Sequence, residues 1–138
     1  MAHITTRRVV AALDCPDARE LADFYATMLG WRVHSDEQYP DWVDVLPPQG
    51  ETDAITLGFQ TVPDFRAPTW PEGQVPQQVH LDFYVDSIAD SEPAVLAAGG
   101  RRHKYQPSPD GRFVVYLDPV GHPFCLCTEE DGEPGRST

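Results

Sequence analysis

One pattern constrains this chain more than any other: an order of strand, helix and strands that occurs twice. "RRVVAALD" is a short apolar run suited to a strand. "CPDARELADFYATMLG" then carries Leu21, Phe24, Tyr25 and Met28 or Leu29 at helical spacing. Pro16 suits the helix entry and Gly30 stops the helix. "WRVHSD", "DWVDVLP" and "AITLGFQTV" read as strands, with a turn around Gly50. The order then restarts, with "QVHLDFYVD" as a strand and "SIADSEPAVLAAGG" as a helix ending in glycines. "RRHKY", "GRFVVYLDP" and "HPFCLCTE" follow as strands. Gly30 aligns with Gly99 at an offset of 69, and Val10 with His80 at an offset of 70. A supersecondary unit repeated in this way predicts two βαβββ modules in an α+β fold. Module one covers about 8–61 and module two about 77–128 of one 138-residue domain. The segment 62–76 holds four prolines, at 63, 68, 71 and 76, and reads as a linker. The tail 129–138 is expected to be disordered.

Net charge is −12, with the acidic residues spread along the chain. That argues against nucleic acid and against anionic membranes, which both attract a basic surface. It is compatible with a cationic ligand. No apolar run approaches the roughly 18 residues that span a bilayer. "MAHITTRRVV" lacks a long apolar segment, so the expectation is a soluble, cytoplasmic protein. Three cysteines, Cys15, Cys125 and Cys127, do not suggest a disulfide framework, and buried thiols are the plain reading. No phosphate loop, GxSxG or CxxC motif appears, so nucleotide chemistry and serine hydrolysis have no support.

Strand parity sorts the side chains into two faces. In "HLDFYVD", Leu81, Phe83 and Val85 form an apolar face for the helix, leaving His80, Asp82 and Tyr84 opposite. In "HPFCLC", Phe124 and Leu126 join the helix face, leaving Cys125 and Cys127. In the first half, Leu13, Leu57 and Phe59 face the helix, leaving Val10, Ala12, Gly58 and Gln60. Small or neutral groups on one half and polar groups on the other suit a ligand cavity. His80 and Asp82 sit two strand positions apart, about 7 Å, and meet only if their side chains lean together. They can act in proton transfer, contact a ligand, or be satisfied polar residues without chemistry. Trp70 either lids the cavity or anchors the linker, while Trp31 and Trp42 read as core or interface residues. Asp118 and His122 are expected to hold the turn in "DPVGHPF".

Specific phrases resemble the vicinal oxygen chelate superfamily, which includes glyoxalases, extradiol dioxygenases and bleomycin-resistance proteins. "CPDARELADFYATMLGWRV" resembles its opening, "HLDFYVDSI" the start of its second module, and "YLDPVGHPFCLC" its closing turn and strand. "VPDFRAPTWPEGQVPQQVHLDF" is similar to a glyoxalase-like subgroup common in actinobacteria. The resemblance implies a cupped mixed sheet around a central cavity. It also implies up to four metal ligands, at the start of each module's first strand and on each module's last strand. Those positions hold Val10, Gly58, His80 and Cys125, so only His80 and Cys125 survive as weak metal candidates. The expectation is no cofactor metal, because a catalytic site needs about three protein ligands.

Two functions stay open. The first is a metal-free binding protein of the bleomycin-resistance kind that holds a small aromatic or cationic molecule. The second is a lyase or isomerase using His80 and Asp82 for proton transfer, with or without metal. The expected ligand contacts are Val10, Ala12, Gly58, Gln60, Trp70, His80, Asp82, Tyr84 and Cys125. Members of such a fold commonly pair, so a homodimer is expected.

Overall fold

The computed structural model describes residues 5–50 and 54–128. The acidic residues after Gly50 and the tail expected to be disordered, 129–138, lie outside the described residues. The chain divides between Phe65 and Arg66 into two compact units.

The first unit runs β1 (Val10–Cys15), α1 (Ala18–Leu29), β2 (Arg32–Ser35), β3 (Trp42–Leu46) and β4 (Thr56–Thr61). Its sheet has the order β1-β4-β3-β2, with β1 parallel to β4 and the other pairs antiparallel. A parallel pair needs a long crossover, and α1 supplies part of it. Asp17 caps α1 by accepting from the amides of Arg19 and Glu20, at 3.0 and 3.2 Å. The helix ends at Gly30 with φ +70, a left-handed conformation that glycine adopts without a Cβ penalty. Leu21, Ala22, Phe24 and Tyr25 bury one face of α1 against Leu13, Val43, Val45, Leu57 and Phe59. The Thr61 hydroxyl accepts from the Ala18 amide at 2.8 Å, tying the end of β4 to the start of the helix.

The second unit repeats the order as β5 (Leu81–Tyr84), α2 (Ile88–Ala98), β6 (Arg101–Arg102), β7 (Phe113–Leu117) and β8 (Pro123–Cys127). Its sheet order β5-β8-β7-β6 matches the first, with β5 parallel to β8. Both βαβββ modules read from the sequence are therefore present. α2 is covered less than α1: within it only Val95 is buried, and Leu81 and Phe83, expected as core, are half-buried. Phe124 carries the core instead, stacked on Tyr116 at 5.7 Å and edge-on to Phe83 at 5.9 Å.

"RRHKY", read as a strand, yields only two strand residues. The side chain of Gln106 continues the pairing. Its Nε2 donates to the carbonyls of His103 and Val115, at 2.6 and 2.8 Å, and its Oε1 accepts from the Val115 amide at 2.8 Å. A side-chain amide thus takes the place of a backbone one. Residues 62–80 contain no helix or strand, but they are not slack. Thr69 and Val75 close a loop through three hydrogen bonds, including the Val75 amide to the Thr69 hydroxyl at 2.9 Å. Among the described residues no helix is long and apolar enough to cross a membrane.

Candidate functional site

The richest constellation lies on the face of the second sheet opposite the aromatic Phe83–Phe124–Tyr116 face. Register pairs Asp82 with Cys125 across β5 and β8, so parity alone brings their side chains to one face. His80 sits one residue before β5 and turns its ring back over them. Its Nε2 lies 2.8 Å from Asp82 Oδ1 and 3.2 Å from Cys125 Sγ. The pair expected about 7 Å apart along the strand is in hydrogen-bond contact, because both side chains lean together. His80 and Asp82 are 39% and 47% exposed, whereas Cys125 is 1% exposed. The group therefore has a buried thiol floor and an open polar rim.

A cavity of about 450 Å³ opens onto this group. His80, Asp82, Tyr84, Phe113, Cys125 and Cys127 line it from the sheet and its edge, together with Arg112 and the loop 107–110. Phe113 follows from parity along "FVVYL", because it shares a face with Val115, next to Cys125 in the ladder. The loop carries no hydrophobic period, so Arg112, Pro107 and Pro109 could not be read from the sequence. The loop is internally tied. The Ser108 hydroxyl donates to Asp110 at 2.7 Å and accepts from the Arg112 amide at 3.2 Å. The Ser108 hydroxyl and the Arg112 amide hold the Asp110 carboxyl below its ordinary value.

Burial, reinforced by the negative charge of Asp82, pushes both the Cys125 and Cys127 thiols from about 9 up to about 12. The thiols are neutral at physiological pH and poor nucleophiles as they stand. The sign of the pH dependence follows. An unfolded thiol ionises near 9 while the folded one stays protonated to about 12, so its stabilising contribution is present below 9 and is lost as pH rises from 9 toward 12. Tyr116, pushed up from 10 to about 12 mainly by burial, acts in the same direction. Urea midpoints should therefore fall on titration from pH 9 to 11, and alkylation of these two thiols at pH 8 should be slow. A midpoint flat across that window would contradict the burial described.

Trp70 packs on Val115, Cys125 and Cys127 and lies outside the lining of this cavity. Its carbonyl accepts from His103 Nε2 at 3.1 Å, while His103 Nδ1 accepts from the Tyr105 amide at 2.9 Å. That pairing fixes the tautomer and makes His103 a staple for the loop. Trp70 also borders a separate depression with Thr69, Glu72, His103, Lys104 and Tyr105.

In the first module, Val10 and Ala12 are exposed on β1 and line neither the module-two cavity nor the depression beside Trp70. Gly58 does not leave open room. The indole of Trp42 lies across it, so that a Cβ added there would clash with Trp42 Cζ2. Trp42 Nε1 donates to Asp44 Oδ1 at 2.8 Å, which holds the ring down. Gly58→Ala should therefore displace the indole, cost about 1–3 kcal/mol and change tryptophan fluorescence. An unchanged spectrum and stability would show that the ring is not seated there. A cavity of about 530 Å³ beside Trp42 includes Gln60, with His34, Asp36, Tyr39 and Asp44. Of the four contacts expected from this module, only Gln60 borders it.

The Glyoxalase-like domain family matches residues 10–127. The chain belongs to the glyoxalase-like domain family. A genomically encoded fosfomycin resistance protein from Listeria monocytogenes superposes with a TM-score of 0.65 at 12% identity, over 92% of this chain and 96% of that one. A glyoxalase/bleomycin resistance protein/dioxygenase family enzyme from Burkholderia phytofirmans PsJN gives 0.61 at 17% identity, over 86% and 95%. A glyoxalase-related enzyme from Fulvimarina pelagi gives 0.60 at 20% identity, over 91% and 89%. At these identities the likeness concerns the fold. No match is found among curated proteins.

The metal centre implied by the resemblance can be tested against the residues of this glyoxalase-like chain. Val10 offers no donor, and Gly58 has no side chain and lies under an indole. The four-position centre does not fit. Within module two alone, however, His80, Asp82 and Cys125 bring three ligand atoms within 4.8 Å of one another.

Proposed function

We propose that this glyoxalase-like protein binds a small, flat molecule in the module-two cavity, without a family-type catalytic metal. One observation carries the reading: the His80–Asp82 pair, in contact at 2.8 Å, stands on the wall of a cavity bordered by Tyr84 and Phe113. A mostly apolar cavity with a few converging polar groups is the usual form of a ligand site. Asp82 and Asp110 supply counter-charge for a cationic group, and the rings supply faces for an aromatic one. The protein is proposed to act in the cytoplasm as a homodimer, as related folds commonly pair.

A thermal-shift screen of aromatic amines and other small ring compounds, run with chelator present, tests the reading. A hit should bind wild type and lose at least roughly tenfold affinity in His80→Ala, a loss of the size a charge-assisted contact provides. The melting temperature of His80→Ala should stay close to wild type, because the side chain is partly exposed. Unchanged affinity, or unfolding of the variant, would make the histidine structural.

The second reading, a lyase or isomerase, is favoured by the same contact, since a carboxylate that orients an imidazole suits proton transfer. It predicts exchange of an acidic C–H of a bound ligand with solvent deuterium, detectable by NMR and lost in His80→Ala. Binding without exchange leaves the first reading standing alone.

A further inference from the structure

The segment 66–80 contains no helix or strand, and none of its residues is fully buried. Yet the indole of Trp70 covers Val115, Cys125 and Cys127, which are buried. Part of the module-two sheet face is therefore shielded by a strap that is itself thinly packed. Segments with few buried apolar contacts open locally at far lower cost than the fold as a whole. The loop 69–75 is closed on itself by the Thr69–Val75 hydrogen bonds, so it can move as one piece without losing them. His103 ties it to the sheet. The His103 ring stands edge-on to the indole at 5.2 Å, and its Nε2 donates to the Trp70 carbonyl at 3.1 Å. His103 is anchored in turn, because its amide donates to the Val115 carbonyl at 2.9 Å.

We propose that Trp70 and its strap form a gate over the thiol floor of module two, with His103 as the latch. Closed, the strap keeps the indole on Val115, Cys125 and Cys127. Open, it uncovers a face continuous with the module-two cavity, because Cys125 and Cys127 already line that cavity. Trp70 also borders the depression of about 650 Å³, so its departure joins that space to the cavity of about 450 Å³. The site then admits a guest longer than the closed cavity holds. Val115 and the two thiols offer that guest an apolar, polarizable surface. Releasing the latch costs one neutral hydrogen bond and one ring contact, little beside what holds the module together. The purpose of the gate rests on the binding reading, whereas the gate itself needs no guest.

The test labels the full, reduced chain with iodoacetamide and follows each cysteine by peptide mass spectrometry. In wild type, labelling of Cys125 and Cys127 should not change with urea well below the unfolding transition, because a lifting strap exposes little new surface. His103→Ala should speed both thiols roughly tenfold, near the upper range for losing a neutral hydrogen bond. Cys15, in the other unit, should keep its rate. Trp70→Ala should speed both thiols at least as much. Adding His103→Ala to it should give no further increase, because a latch without its gate holds nothing. Wild-type labelling that rises with urea along the full slope of global unfolding would overturn the gate. So would an unchanged rate in His103→Ala, or a gain from that variant that persists in the Trp70→Ala background. Should His103→Ala fail to fold, Trp70→Ala decides: a rate no faster than wild type overturns it. The experiment contains no guest, so the binding reading can fail while the gate stands. The gate can likewise fail while a guest still binds in the closed cavity.

Discussion

Asp118→Ala is expected to lower stability by about 3–5 kcal/mol, although residue 118 touches no ligand contact. The carboxylate is fully buried in the turn between β7 and β8. Its Oδ1 accepts from the amides of Val120, Gly121 and His122, at 3.0, 2.9 and 3.0 Å. The Gly121 amide also reaches the Asp118 carbonyl, so the amides of Val120 and His122 lose most when the side chain goes. Leaving a buried donor unpaired costs about 1–3 kcal/mol, more when the lost partner was charged. Asp118→Asn keeps an oxygen in place and should cost clearly less. Urea denaturation of the two variants checks this, and a loss under about 1 kcal/mol for alanine would mean that water replaces the carboxylate freely. The expectation that Asp118 holds this turn thus acquires its mechanism: one oxygen gathers three successive amides.

Phe59→Ala should cost about as much, about 3–5 kcal/mol, and for a different reason. Its ring is fully buried and stacks on Tyr25, with centroids 5.4 Å apart and planes at 22°. Its backbone neighbours are Leu13 on the parallel side and Val43 on the antiparallel side, both buried. Removing the ring leaves a void between α1 and three strands that rigid backbone cannot close. Leu81→Ala, at a helix-facing position on the first strand of module two, should cost less, because Leu81 is only half-buried and α2 contributes one buried residue. Thermal unfolding of both variants gives the comparison. Equal losses would mean that the second helix covers its sheet better than described.

The fold was legible because each module writes its period plainly. Leu21, Phe24 and Tyr25 mark α1, and alternation in "TLGFQT" and "HLDFYV" marks strands. Parity also placed Asp82, Tyr84 and Cys125 on one face, which the register confirms. Parity could not tell an open face from a filled one. Gly58 reads as room, yet a ring from the neighbouring strand, Trp42, fills it, and that depends on a cross-strand neighbour outside the local sequence. Nor could it supply the contact of His80, which lies before the strand, where no pleat fixes the direction of the side chain. The loop residues Arg112 and Pro107 were silent for the same reason: they obey no period.

The substitution of a side-chain amide for backbone at Gln106 bears on how strongly the cavity can hold anything. The loop that forms one wall is clamped at its start by Gln106 and at its end by the Thr128 amide, which donates to the Arg112 carbonyl at 3.0 Å. Pro107 and Pro109 fix two of its dihedrals between these clamps. A wall already ordered in the free protein loses little conformational freedom when a guest arrives. Each side chain or loop residue that must otherwise be immobilised costs about 0.5–1.5 kcal/mol of affinity. Preorganisation therefore lets a small guest with few contacts bind measurably here, and cutting the Gln106 clamp should loosen binding chiefly through faster release.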